Sequence, residues 1–402
     1  MNAVRRTTAH RLEGLDALRG LAAVSVMAYH YTSWYSQAMG GHPPPGVSLM
    51  FPNGNLGVEL FFIISGFVIY MTLERGDSLS GFLFSRFVRL WPAFLASMTL
   101  TILISTAFGD FDPKDNAARI IVNLTMAPEL FNTRAIDGSY WSLSFELAFY
   151  LLAGGVFFIL RPRGPEFSCA IWLLIAAAMR GAASQCSVQL VQLTAAPFCQ
   201  LFVIGIMLFR LRAGQATVAT WAVLAVAFAM TLLGPDAVLH PLPTLGYSSV
   251  ILGFAVLVWL ATMPWPRSPM AVPLLFFGRI SYPLYLVHQE VGLSVIARLE
   301  VSGVTPNIAV ATTAALAIFA AWAISAGVEY PLQAWLRARY RMWHQQLDVE
   351  ITAPALRAPR PRPLAGPHAT DSPPTVAIAF GPPLGSGHTR QPSSRRPIAW
   401  RQ

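Results

Sequence analysis

An all-α, polytopic integral membrane protein is the fold class this sequence predicts, and three observations predict it. Hydrophobic residues make up 54% of the 402 and charged residues only 12%, with a mean hydropathy of +0.51, so the chain lacks the polar surface to coat a soluble domain of its size. The apolar residues gather into runs of about 20, the length that crosses a bilayer as a helix. The basic residues, all arginine except Lys114, concentrate in alternate gaps between those runs.

Ten segments qualify as spans: 15–35, 56–73, 87–108, 141–161, 168–184, 191–210, 217–233, 242–263, 272–297 and 305–328. The first is preceded by Arg5, Arg6 and Arg11 and interrupted by Asp16 and Arg19, and no small-residue cleavage site follows. It reads as a retained span, not a cleaved signal peptide. The stretch "ARIIVNLTMAPELFNT" at 118–133 is short and broken by Pro128, so it is expected to lie at the interface or re-enter. An even number of spans places both termini on one side. Arg75, Arg86 with Arg89, Arg161 with Arg163, Arg210 with Arg212, Arg267, and Arg337 with Arg339 and Arg341 mark the cytoplasmic face, while 36–55 and 234–241 hold no Lys or Arg. A multi-pass protein of a bacterial cytoplasmic (inner) membrane follows, with both termini cytoplasmic. The transmembrane domain is expected over 1–341. From 342 to 402, runs such as "APRPRPLAGP" predict a disordered Pro/Arg-rich cytoplasmic tail.

Several function classes recede at this level. A formal charge of +9 and a pI near 9.9 would point to nucleic acid in a soluble protein, but arginines between spans report topology, so no nucleic-acid partner is expected. Cys169, Cys186 and Cys199 are odd in number and lack ligand spacing, which implies neither a disulfide framework nor a metal site.

Topology turns positions into depths. Arg19 and His30 lie eleven residues apart (30 − 19 = 11) in "LRGLAAVSVMAYHY", about 16 Å along a helix and about three turns, so they share a face. Arg19, Arg86, Arg89 and Arg279 fall toward the inner side, and His30, Glu59, Glu146 and His288 toward the outer. Guanidinium binds phosphate bidentately and keeps its charge at any depth; histidine moves protons near neutrality. Ionisable groups in a span are costly, which favours a functional reading. Plain alternatives stand beside it: Arg86 and Arg89 as membrane anchors, either histidine as a backbone-bonded bundle residue, Glu59 as structural, and the Ser and Gly of "IISGF" as small residues for close helix packing.

At these residues the chain resembles the membrane-bound acyltransferase family 3, over nearly all of 11–335. The matching stretches, in order, are "RLEGLDALRGLAAVSVMAYHY", "LGVELFFIISGFVI", "FLFSRFVRLWPAF", "GSYWSLSFELAFYLL", "GRISYPLYLVHQ" and "VEYPLQAWL". Each is weak alone; six in the family's order and spacing are specific. The resemblance implies O-acylation of a carbohydrate, with Arg19 and His30 implicated in activity, Arg86 and Arg89 facing acyl-CoA, and Glu146 as the acid of the Trp-Ser-Leu-x-x-Glu stretch that begins at Trp141. Glu59 stands where relatives often have aspartate. Many relatives add an SGNH-type domain after a further span; neither is seen here, which assigns acceptor recognition to the membrane domain and its outer loops, chiefly 36–55 and 109–140.

The resulting expectation is an O-acetyltransferase with no permanently bound cofactor, which takes acetyl-CoA as donor substrate from the cytoplasm. His30 is the general base on a carbohydrate hydroxyl arriving from outside, and Glu146 orients its imidazole or stabilises its cation; His288, Glu59, Arg279 and Trp141 are secondary site residues. An acyl-histidine intermediate is the variant. A membrane transporter or flippase of a sugar-containing substrate is the rival, though transporters often show an internal repeat and the Arg-to-His stretch has no clear counterpart in the second half. A structural or sensory protein would leave the ionisable cluster unexplained.

Overall fold

The computed structural model describes residues 12–38, 47–76, 78–160, 163–181, 186–233, 242–264 and 271–357, and these form helices joined by turns. The elements are α1 (Glu13–Tyr29) running through a π-helical turn (His30–Trp34) into α2 (Tyr35–Ala38), α3 (Gly57–Arg75), α4 (Leu79–Ala107), α5 (Ala117–Asn123), α6 (Trp141–Leu160), α7 (Pro165–Gly181), α8 (Val188–Thr194), α9 (Cys199–Arg212), α10 (Val218–Thr231), α11 (Thr244–Ala261), α12 (Ala271–Val287), α13 (Glu290–Val301), α14 (Pro306–Ile324), a second π-helical turn (Ser325–Glu329), and α15 (Tyr330–Arg357).

Five helical stretches are long and apolar enough to cross a membrane among the described residues: Gly54–Arg75, Leu79–Ala107, Val188–Arg212, Thr244–Ala261 and Pro306–Trp343. Val218–Thr231 and Val272–Val287 are shorter apolar helices. The protein is a multi-pass membrane protein. Its exposed large apolar side chains, among them Leu103, Leu252, Val256, Leu316 and Phe319, sit on helices whose other faces are buried, as lipid-facing positions do.

The chain divides after Gln345 into two compact units. The first holds the bundle. Of the second, only the last part of α15 falls within the described residues, and the expected boundary at 341/342 lies inside that helix. The remaining tail, 358–402, lies outside the described residues, as do Arg5, Arg6, Arg11, Arg161, Arg267 and the 234–241 loop.

Helix α1 is the centre of the bundle, buried on two sides. Leu15, Leu18, Ala22 and Val26 enter one apolar core with α3, α4, α6, α7, α9 and α11; Ala23, Met27 and Tyr31 enter a second with Ile280, Leu284, Ile296 and Ala321. Helices α1 and α12 run in the same direction, because Gly20 abuts Gly278 and, about ten residues on, His30 meets His288. A Cβ on Gly20 would lie 2.5 Å from the Gly278 nitrogen, and one on Gly278 would lie 2.2 Å from the Asp16 carbonyl oxygen. Helices α3 and α9 approach in the same way: a Cβ on Gly66 would meet the Phe202 carbonyl oxygen at 2.1 Å. The glycine of "IISGF" is therefore a packing residue, in keeping with small residues at membrane helix interfaces.

Four expected spans are not the uninterrupted helices the hydropathy implies, the first because it passes through the π turn at His30–Trp34. The sixth breaks between α8 and α9, where Ala195 adopts φ +47. The ninth breaks at His288–Gln289, and the tenth passes through its π turn. The third begins eight residues earlier than expected (87 − 79 = 8), capped by the Ser78 side chain on the Gly81 N–H. Arg86 and Arg89 consequently project from the body of a helix and not from a loop. In α12, Pro283 removes an N–H from the helix ladder, and the Tyr330 hydroxyl donates to the freed Arg279 carbonyl at 2.9 Å, the kind of local repair a proline in a membrane helix requires.

Candidate active site

The arginine layer comes first. Arg19 of α1, Arg86 and Arg89 of α4, Glu146 and Tyr150 of α6, Ser65 of α3 and Tyr282 of α12 line one cavity. Within it Ser65 Oγ donates to Glu146 Oε1 at 3.0 Å, and the Tyr150 hydroxyl donates to the same oxygen in a short hydrogen bond. Arg89 is held by Glu329, fully buried on the second π turn, in an ion pair. Ser325 and Gln333 donate to the same carboxylate at 3.1 Å each, and the Arg89 guanidinium also lies over the Tyr282 ring, 5.7 Å from its centroid. Among the described residues this layer sets three guanidiniums against two carboxylates.

A neighbouring cavity shares Arg19, Ser65, Glu146 and Tyr282 and adds Ser142, Ser281 and Tyr285. Tyr285 links this level to the next. Its hydroxyl shares a hydrogen bond with Ser142 Oγ at 2.7 Å and donates to the Ser139 carbonyl at 3.0 Å, and its own carbonyl oxygen lies 2.8 Å from His288 Nδ1.

The histidine layer follows. His288 Nε2 lies 3.1 Å from His30 Nδ1, which in turn lies 3.0 Å from the Val26 carbonyl oxygen. The main chain fixes the tautomers. A carbonyl accepts only, so neutral His288 carries its proton on Nδ1 and presents Nε2 as acceptor; His30 then carries its proton on Nδ1, leaving the lone pair on its own Nε2. His288 is fully buried and His30 partly so. His30 starts the first π turn, and such turns recur where a helix must re-aim a side chain; Glu329 closes the second.

Beyond the histidines, at the opposite end from the arginines, lies a cavity of about 590 Å³ lined by Trp34, Asp110, Arg119, Glu129, Arg134, Gly138, Gln289 and Glu290 among others. The Trp34 ring is 5.9 Å from that of His30. The 109–140 loop that walls the cavity is tied down by polar contacts. Asn123 takes carbonyls of Arg119 and Arg134 and accepts the Ile136 N–H, and Arg298 pairs with Asp110 at 2.9 Å. Fully buried Asp137 accepts from the Ser139 N–H at 2.8 Å, the Ser139 hydroxyl at 2.7 Å and the Glu290 N–H at 3.1 Å. Burial pushes the Asp137 carboxyl up to about 6 against the pull of those bonds. Its bond to Glu290 joins the loop to the helix break that carries His288. The 118–133 stretch is not one continuous helix: it forms α5 followed by a 3₁₀ turn at Pro128–Phe131.

The expected site residues divide accordingly. Arg19, Arg86, Arg89 and Glu146 assemble in one layer, and His30 and His288 in the other. Glu146 does not orient His30: its hydrogen bonds go to Ser65 and Tyr150, and His288 takes the position beside His30. Glu59 is buried in the first turn of α3, within electrostatic reach of Tyr247 and Tyr285. Arg279 is exposed and lines neither cavity of the arginine layer, and Trp141 packs with Phe145 and Phe198. Glu329, Tyr282 and Asp137 are the site residues that sequence reasoning did not single out. Glu329 and Tyr282 stood within the quoted "VEYP" and "ISYP" stretches, whose prolines were the visible signal of a helix irregularity.

The family model of an acyltransferase domain matches residues 12–326. The chain belongs to the acyltransferase family 3. The matched span of this acyltransferase-3 chain covers both layers of the site except Glu329. It is 26% identical over 188 residues to the O-acetyl transferase of Shigella phage Sf6, covering 44% of this chain and 55% of that protein. It is 29% identical over 149 residues to the acyltransferase MdmB of Streptomyces mycarofaciens, 35% of this chain and 38% of that one. It is 28% identical over 170 residues to the peptidoglycan O-acetyltransferase OatA of Listeria monocytogenes, 37% of this chain and 25% of that one. The chain thus aligns with about half or less of the length of these relatives. No solved structure matches it.

Proposed function

We propose that the protein is an integral membrane O-acetyltransferase that moves an acetyl group from acetyl-CoA to a hydroxyl of a carbohydrate of the cell envelope or of an exported glycan. The observation that carries this reading is the His30–His288 pair standing between an arginine-lined cavity on one side and a large polar cavity on the other. The printed names of the relatives, two of them O-acetyl transferases, support the acyl group assignment.

Acetyl-CoA enters from the arginine end, which the loop charges assign to the cytoplasm of a bacterial inner membrane, and Arg19 and Arg86 meet its phosphates. Arg89, engaged by Glu329, holds the second π turn against α4 and adds its field. The acceptor hydroxyl enters through the outer cavity, where Trp34 offers an aromatic face to a sugar ring. His30 Nε2 takes the hydroxyl proton as the oxygen attacks the thioester carbonyl; the carbon–sulfur bond breaks, and the departing CoA thiolate takes that proton from the imidazolium. His288 and the Val26 carbonyl both accept from His30 Nδ1 and together hold the base in the tautomer that leaves Nε2 free.

The test is transfer of radiolabel from acetyl-CoA into the polysaccharide fraction of membranes making the protein, compared with His30→Ala at matched abundance. Label with the wild type and none with the variant is expected. Equal label in both would remove His30 from the reaction.

A further inference from the structure

Tyr282 presents a polar atom that the fold does not use. Its hydroxyl is buried and has no hydrogen-bond partner, although Tyr282 lines both of the small adjoining cavities that hold Arg19 and Glu146, of about 30 and 40 Å³. A buried hydroxyl left unsatisfied costs about 1–3 kcal/mol, and native interiors leave few such groups. Around it, Ser65 and Tyr150 both donate to Glu146 Oε1, and the Arg89 guanidinium meets the ring. The donor proton of Tyr282 is therefore unused by the protein.

Position says what would accept it. Tyr282 of α12 lies six residues before His288, the first residue past the end of that helix (288 − 282 = 6), about 9 Å toward the arginine end. On the proposed function, the acyl carbon is at the histidines and the phosphates are at Arg19 and Arg86, so the segment of donor passing Tyr282 is the pantetheine arm. That arm is apolar except for two amides and a hydroxyl, and its amide carbonyls are acceptors within about 5–10 Å of the thioester. We infer that Tyr282 is a donor-binding residue whose hydroxyl donates to an amide carbonyl of the pantetheine arm and sets how far the thioester advances toward His30. This inference rests on the acyl-CoA reading above.

Tyr282→Phe tests it, because it removes one oxygen and keeps the ring that Arg89 and the cavity wall contact. In the full-length protein in detergent, the melting temperature is expected to hold or rise, since the substitution deletes an unsatisfied group. Affinity for acetyl-CoA is expected to fall about threefold to tenfold, the worth of one neutral hydrogen bond, and affinity for S-acetylpantetheine, which has the arm and no nucleotide, is expected to fall by the same factor. Arg86→Ala, in contrast, should weaken acetyl-CoA and leave S-acetylpantetheine unaffected. A lowered melting temperature in Tyr282→Phe would mean that the hydroxyl serves the fold, and unchanged affinity for both donors would mean that it touches neither; each result overturns the assignment. Wild-type protein that binds neither donor would instead overturn the acyl-CoA reading itself, a result read without reference to Tyr282.

Discussion

His30 Nδ1 lies 3.1 Å from His288 Nε2, and the two residues come from helices 258 positions apart. The relationship gives the second histidine a task that depends on its acceptor nitrogen. His30→Ala is expected to lose about 10²–10⁴ in kcat, the range of a general base. His288→Ala is expected to lose less, about 10-fold to 100-fold, because the base remains, with its Nδ1 proton still held by the Val26 carbonyl, but loses the second acceptor that orients its ring. Initial rates at saturating donor, with both variants at equal membrane abundance, check the order.

The Arg89–Glu329 pair is a buried ion pair with Glu329 wholly enclosed. Removing one partner from such a pair costs about 3–5 kcal/mol, whereas replacing both with apolar groups can be near neutral. Glu329→Ala is therefore expected to lower the melting temperature sharply, and Arg89→Met with Glu329→Leu to recover much of the loss. Scanning the three proteins in one detergent decides this; a double variant no better than Glu329→Ala would mean that the charge itself is needed by the fold.

Asp137 gives the fold a pH dependence of definite sign. Its carboxyl titrates near 6 in the folded protein against an ordinary value of 3.8, so the folded state binds a proton that the unfolded chain has released. Stability from this group is fully present below about pH 4 and is lost as pH rises through 6, a contribution of about 1–3 kcal/mol. The melting temperature should thus carry a component that falls between pH 4.5 and 6.5 in the wild type and is absent in Asp137→Asn.

Glycines mark where backbones touch. A Cβ on Gly205 would lie 2.0 Å from the Ile63 carbonyl oxygen, while one on Gly253 of α11 would meet nothing within 4 Å. Gly205→Ala should destabilise by about 1–3 kcal/mol through overpacking, and Gly253→Ala should be neutral or stabilise by up to about 1 kcal/mol through helix propensity. Thermal unfolding of the two variants separates them.

Much of this was legible in the sequence, for a physical reason. Depth follows from hydropathy and charge, so the sorting of Arg19, Arg86 and Arg89 to one side of His30 and His288 could be read from spans alone. Lateral contact could not. Which helix stands beside which depends on packing, and so the sequence led to Glu146 as the partner of His30 where the fold supplies His288. Glu329 illustrates the same limit: it lies 240 residues from Arg89, on a π turn that no hydropathy pattern announces. The breaks at Ala195 and at His288–Gln289 were hidden because an apolar run looks the same whether or not its helix is continuous.

The most direct measurement uses sealed vesicles, since acetyl-CoA does not cross a bilayer. Radiolabelled acetyl-CoA is supplied outside inside-out membrane vesicles, which present the arginine end, and outside right-side-out vesicles, which present the outer cavity. Incorporation into glycan in the first, little in the second, and none in either with His30→Ala is expected if donor and acceptor meet at the histidine pair from opposite faces. Equal incorporation in both orientations, or incorporation that survives His30→Ala, would contradict that arrangement.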